Sequence, residues 1–272
     1  VFFFFIMWLV PWSFANNYIA AINSSVIFAI LIFFIIGGAA LLPDLDSSPL
    51  QGGGSIAIYQ LGFLGNILSL LAITISGVVY SVLHTKYDNK PKSQHRMLFH
   101  APIIPILIYI YVEFFIPNSN NILMNNLNYD NSGLIILVFF AGVSVYLGSN
   151  MLMYKLLKLF GKQRRTSKIC FFIMLFFIFY MLKIPYIKLK LIGKAVALGY
   201  FFHIISDVAT KGSAPLFFPI PMPNRKGKFR FWWKPYILGP SLTITTGGVL
   251  NIILNFVLFG VNIFLFWFIF LR

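Results

Sequence analysis

Residues 19–46 read IAAINSSVIFAILIFFIIGGAALLPDLD, and this stretch decides the class of fold. Ile19 to Leu42 is apolar apart from Asn23, Ser24 and Ser25, and it is long enough to cross a bilayer as a helix. Pro43 cannot continue that helix. Two acids follow at once, Asp44 and Asp46. In an extended segment their side chains point the same way. Like charges that close repel unless a cation or protons lie between them. A solvated, Asp-rich turn completed by Ser47, Ser48 and Pro49 is the plainer reading of these residues alone.

The rest of the chain is as apolar as this stretch. Its 272 residues are 59% hydrophobic and only 10% charged, with a mean hydropathy of +0.86. A soluble domain carries about 25% charged residues. The composition therefore predicts an all-α polytopic transmembrane bundle, one membrane-embedded domain over residues 1–272. The net charge of +15 lies in short loops between apolar runs. That distribution fits loops facing the cytoplasm and anionic membrane lipid, not a nucleic-acid partner. The single cysteine, Cys170, excludes an internal disulfide. The chain opens at Val1 inside an apolar run, so an upstream segment is expected.

About six spans are expected, with re-entrant or short helices among them. Ile56–Leu83 is long and apolar but carries Gln60, Gly62, Gly65, Asn66 and Gly77. His84 to Arg96 is basic and reads as cytoplasmic. Met97–Ile116 spans outward, the asparagine-rich loop that follows has no Lys or Arg, and Leu134–Tyr154 spans back. Lys155 to Lys168 is basic again. Ile169–Leu182 and Leu191–Ser206 are short runs that together go out and return, with Lys183, Lys188 and Lys190 in the turn between them. Lys211 to Lys234 reads as a cytoplasmic loop with Phe231, Trp232 and Trp233 as interfacial anchors. Gly247–Phe270 is the last span.

The few acids and histidines are placed selectively. On a helix, His203 and Asp207 share one face, one turn apart. Their neighbours Phe201, Phe202, Ile204 and Ile205 are apolar, so the pair needs a partner at that depth. A simple His–Asp hydrogen bond would suffice for the pair alone. His95 and His100 are five apart, so His95 is expected just before the next helix and His100 in its first turns. The basic loops place Asp44/Asp46, His95/His100 and His203/Asp207 on the cytoplasmic side. That convergence requires Ile56–Leu83 to be re-entrant or interfacial. Four imidazole or carboxylate groups hold one metal and six can hold two. Zn, with Mn or Fe as alternatives, suits such donors. His84 and Asp88 repeat the His-x-x-x-Asp spacing, which makes His84 a possible extra ligand.

Three short motifs give the sequence a resemblance to a known family. Pro43-Asp-Leu-Asp46, His95-Arg-Met-Leu-Phe-His100 and His203…Asp207…Thr210…Gly212, followed by Pro215-Leu-Phe-Phe-Pro219, stand in the family's order. The sequence resembles the LexA-binding, inner-membrane-associated metal-dependent hydrolases. It departs from them at Met97, Phe99 and Ala101, where the family has Gly, Thr and Ser, and it lacks the family's early histidine.

The resemblance implies metal-dependent hydrolysis at the inner membrane. Asp44, Asp46, His95, His100, His203 and Asp207 are then expected to hold one or two divalent metals. Asp44 would take a proton from the acidified water, and Arg96 would face the developing negative charge. Arg96, Thr210 and Lys211 would meet a lipid-linked or phosphorylated substrate. The competing expectations are a metal or proton transporter and a degenerate scaffold with a structural metal.

Overall fold

A computed structural model describes residues 25–47, 56–86, 88, 97–116, 132–159, 167–208, 214–223 and 226–232. These residues form seven α-helices and one short hairpin. The helices are α1 (Val26–Ala39), α2 (Ile56–Leu61), α3 (Phe63–Leu83), α4 (Ile103–Phe115), α5 (Ser132–Leu159), α6 (Ser167–Met181) and α7 (Tyr186–Val208). The hairpin pairs β1 (Met222–Pro223) with β2 (Phe229–Arg230). Val26–Asp46, Phe63–Leu83, Gly133–Tyr154 and Tyr186–Val208 are long and apolar enough to cross a membrane. The helices Ile103–Phe115 and Lys168–Met181 are apolar but shorter. The chain is thus an all-α membrane protein. The apolar run that opens at Val1 and the expected last span, Gly247–Phe270, lie outside the described residues.

The helix α1 starts where Ser25 accepts a hydrogen bond from the Phe28 N–H at 3.4 Å. It is apolar on every side, which suits a helix surrounded by other helices or lipid. It lies between α5 and α7. Small residues allow this. A Cβ on Gly38 would strike the backbone of Ser144, and one on Gly148 would strike the backbone of Phe34. Ser144 and Gly148 are four apart, the small-xxx-small spacing that lets membrane helices approach closely.

The structure refines one expectation about topology and corrects another. Ile56–Leu83, expected to be re-entrant or interfacial, forms two helices. It breaks at Gly62, whose φ of 57° suits glycine, and its second part is a 21-residue helix of crossing length. The acids and histidines still meet, because α3 runs alongside their site. The Ser69 hydroxyl donates to the Ser47 carbonyl at 2.8 Å, and Val79 and Leu83 pack against the Met97–Leu98 cluster. Likewise, Lys188 and Lys190 do not lie in a turn. Both are inside α7, which begins at Tyr186.

The reason is Glu113, an acid that stands alone in the apolar sequence of its helix. Its carboxylate on α4 accepts from Lys190 at 3.0 Å and pairs with Lys194. Lys190 is buried and Lys188 lies over the Phe28 ring, 5.4 Å from its centroid. So α4 and α7 run antiparallel, with His100 beside His203 at one end and Glu113 beside Lys190 at the other. Glu113→Ala leaves two cations facing each other at the bundle wall. It is expected to destabilise the protein by about 1–3 kcal/mol, less than a fully buried pair because the carboxylate is partly open. Thermal unfolding in detergent measures this, and the double variant Glu113→Leu with Lys190→Met should recover part of the loss.

Candidate metal centre

Three elements carry the site. The first is the Pro43–Asp46 turn, which is a 3-10 helix and not the extended segment expected. Pro43 starts it, the Ser47 N–H and hydroxyl both donate to the Asp44 carbonyl, and Leu42 and Leu45 are buried. The second is another 3-10 turn, Leu98–His100, which ends just before α4. His100 therefore precedes that helix; it is not in its first turns. Met97, Leu98 and Ala101 pack beneath Phe218 and Trp232, whose rings stack at 4.2 Å. Trp232 is thus part of the packing over this turn, and not a free interfacial anchor. The third element is the last turn of α7, which presents His203 and Asp207. Tyr200, three residues before His203, donates its hydroxyl to the Phe99 carbonyl at 2.6 Å and ties the second element to the third.

The side chains converge on two imidazole nitrogens. His100 Nε2 and His203 Nε2 are 3.2 Å apart. Asp44 Oδ1 lies 3.6 Å from the first and 3.5 Å from the second. Asp207 Oδ2 lies 3.2 Å and 3.4 Å from the same two atoms. Asp46 is different. Its Oδ2 meets the other face of the ring, His100 Nδ1, at 3.3 Å. The two acids of the turn thus hold opposite nitrogens of one imidazole. His100 and Asp46 are fully buried, while the Asp44 side chain keeps 26% of its exposure.

Asp44, His100 and His203 each offer an atom close enough to the others to share one ion. Bonds of about 2.0–2.1 Å to a tetrahedral metal place ligand atoms about 3.3–3.4 Å apart. The three observed edges, 3.2, 3.5 and 3.6 Å, fit that spacing. Three protein ligands with a further position open is the arrangement of catalytic zinc. Asp46 on the far nitrogen of His100 is the carboxylate that orients a metal-binding histidine and fixes its tautomer. Charge points the same way. With neutral imidazoles, Asp44, Asp46 and Asp207 leave three negative charges in one buried pocket, and a divalent cation offsets two of them.

Not every expected ligand joins. His84 is exposed, its Nδ1 is near the Tyr80 and Ser81 carbonyls, and its ring stacks on Tyr80. The structure does not bring it to this group. Asp88 takes the Thr85 N–H and hydroxyl on one oxygen and the Trp232 N–H on the other. The second His-x-x-x-Asp is therefore a tie between two loops. His95, Arg96, Thr210 and Lys211 lie outside the described residues. Sequence reasoning missed Tyr200, although its place one turn before His203 on the same helix face was the available signal.

The site yields two expectations. Asp46→Asn keeps the shape but weakens the hold on His100. It is expected to lower metal affinity about 10- to 100-fold, as measured by competition with a chelating dye. The second concerns pH. Burial by itself lowers the pKa of His100, but Asp44 and Asp46 outweigh it and raise the value above the ordinary 6.5. Without metal, this proton stabilises the fold fully below about pH 6.5, and that contribution is lost as pH rises through the raised value. Metal competes with the same proton, so metal binding tightens over that range. Melting curves with chelator should fall as pH rises, and curves with zinc should move the opposite way.

Histidines and carboxylates gathered at one end of apolar, membrane-length helices define the class: an all-α membrane protein with a candidate His/Asp metal site. A family model for the YdjM inner membrane protein matches residues 14–272, so the chain belongs to the YdjM inner membrane protein family. No curated protein and no solved structure matches it.

Proposed function

We propose that this inner-membrane protein is a metal-dependent hydrolase that works at the cytoplasmic face on a phosphoester of a lipid-linked or anionic substrate. One observation carries the reading: the Asp44, His100 and His203 donor atoms form a triangle of ligand dimensions, with Asp46 behind His100. The resemblance to the LexA-binding, inner-membrane-associated hydrolases supports the same reaction class. A contact with LexA itself forms no part of the proposal.

Asp44, His100 and His203 would hold a divalent ion, zinc first and Mn or Fe next, and Asp207 stands close enough to join them or to serve a second ion. When bound, such an ion supplies Lewis acidity and acidifies water. The chain's own residues do the rest. Asp46 keeps His100 in one tautomer, and Tyr200 fixes the turn that carries it. Asp44 is the most open of the three carboxylates and is placed to take a proton. Arg96, Thr210 and Lys211 are assigned to the substrate side from the sequence motifs alone. Elemental analysis of purified protein beside a phosphoester screen tests the reading. Bound metal with chelator-sensitive hydrolysis is expected; a metal-free, inert protein would end it.

Transport is the competing reading. The second charged group, Glu113 with Lys190 and Lys194, sits on α7, the helix of His203, and on α4, the helix that follows His100, and gives that reading its one support. The layer between the two groups is apolar, with Ile104, Ile108, Val112 and Val196 among its residues. A metal flux assay in liposomes separates transport from hydrolysis. Retained metal with neither activity would instead leave a scaffold with a structural ion.

A further inference from the structure

Beside the candidate metal centre lies a cavity of about 500 Å³ with an almost wholly apolar lining. It is walled by α3, α4, α5 and α7. At one end are Leu42, Leu45, Phe99 and Tyr200, the sequence neighbours of Asp44, Asp46, His100 and His203. From there it follows α4 from Ile104 to Val112, eight residues or about 12 Å of helix. Its inner wall is buried at Val112, Leu137 and Val196. Its outer wall is made by Leu71, Ile75, Leu107, Ile136 and Phe140, all exposed on the apolar perimeter of the bundle. That perimeter faces the hydrocarbon of the bilayer in a membrane protein.

We infer that this cavity receives one acyl chain of a bilayer lipid whose phosphate headgroup sits at the His/Asp centre. The inference rests on the proposed function and gives its substrate a class, a phosphorylated lipid. Three observations select this occupant. Apart from Tyr111 and Tyr200 the cavity is built of Leu, Ile, Val, Ala and Phe side chains, which offer little to a soluble metabolite. Its length is close to the hydrocarbon depth of one leaflet, about 15 Å. Its end at Leu42, Leu45, Phe99 and Tyr200 adjoins the turns and helix that carry the only group of three or more His or acid side chains at metal-binding distance among the described residues. A lipid entering sideways between α3 and α4 would therefore keep its chain in hydrocarbon surroundings while its phosphate reaches the cations or protons of the centre.

The test uses the full chain in vesicles containing phosphatidic acid with a diazirine midway along one acyl chain. After illumination, adducts are mapped by mass spectrometry, and metal content is measured on the same samples. Adducts should concentrate on Leu71, Ile75, Leu107 and Ile108. Ala72 lines the cavity and is buried, so Ala72→Phe fills the space of several methylenes. Each methylene seated in hydrocarbon is worth about fourfold in affinity, so this variant should lose labelling at least about tenfold with metal unchanged. Val196→Leu intrudes less and should lose a smaller share, which guards against a folding defect in the first variant. Labelling spread evenly over Phe63, Val78 and Phe114 and unchanged in both variants would overturn the inference and leave the metal reading standing. Cavity labelling in a protein that holds no metal would support the chain site and overturn the hydrolase reading instead.

Discussion

His203→Ala is expected to remove bound metal from the purified protein. The substitution deletes one of three donors from the Asp44, His100, His203 triangle, and the affinity should fall by more than about 100-fold, beyond what an orienting partner alone contributes. The fold should survive. His203 is on the last turns of α7, its side chain keeps 15% of its exposure, and Tyr200 still ties that helix to the His100 turn. His84→Ala is the control, because the ring meets Tyr80 and Ser81 of the helix before it and is not brought to the donor triangle. Elemental analysis of the three proteins reads this directly. Equal metal in the wild type and His203→Ala would remove the donor triangle from consideration.

Gly38→Leu is expected to abolish folding. The new side chain would have to occupy the backbone of Ser144, where α1 and α5 meet. The helices must separate, and the loss exceeds about 3 kcal/mol, the upper range of ordinary overpacking. The consequence reaches the site, since α1 leads directly into the turn bearing Asp44 and Asp46. Neighbouring Gly37 makes the comparison sharp. Nothing lies within 4 Å of a Cβ built there, so Gly37→Ala should be neutral or stabilise the helix by up to about 1 kcal/mol. Fluorescence-detected size exclusion of the two variants separates them: an aggregated Gly38→Leu beside a monodisperse Gly37→Ala. Two monodisperse profiles would mean that α1 and α5 are not in close contact.

What could be read from the residues follows from how local each signal is. The apolar run Ile19–Leu42 and the low charge predicted membrane helices without reference to any partner, because lipid rewards apolar surface residue by residue. The spacing of His203 and Asp207 predicted one helix face for the same reason. Two of the wrong expectations concern partners far along the chain. Glu113 stands alone in its stretch of sequence because its lysine at 190 is 77 residues away. Trp232 read as an anchor because Asp88, the carboxylate that takes its backbone N–H, is 144 residues away. A re-entrant or interfacial Ile56–Leu83 was inferred from the need for Asp46 and His95 to share one side; the structure places a 21-residue helix, Phe63–Leu83, beside the Asp46 turn.

By itself the sequence determined that this chain is helical, that it lives in a membrane, and that its few acids and imidazoles stand at the ends of apolar segments. Hydropathy and helical period are properties of neighbours, so no folding partner is needed to read them. Only the tertiary structure decided that Asp44 and Asp207 meet the Nε2 atoms while Asp46 takes the Nδ1 of His100. It also decided that an apolar cavity opens beside them. Those facts depend on the packing of α1, α3, α4 and α7 against one another, and side chains from separate helices acquire a common geometry only once those helices are in contact.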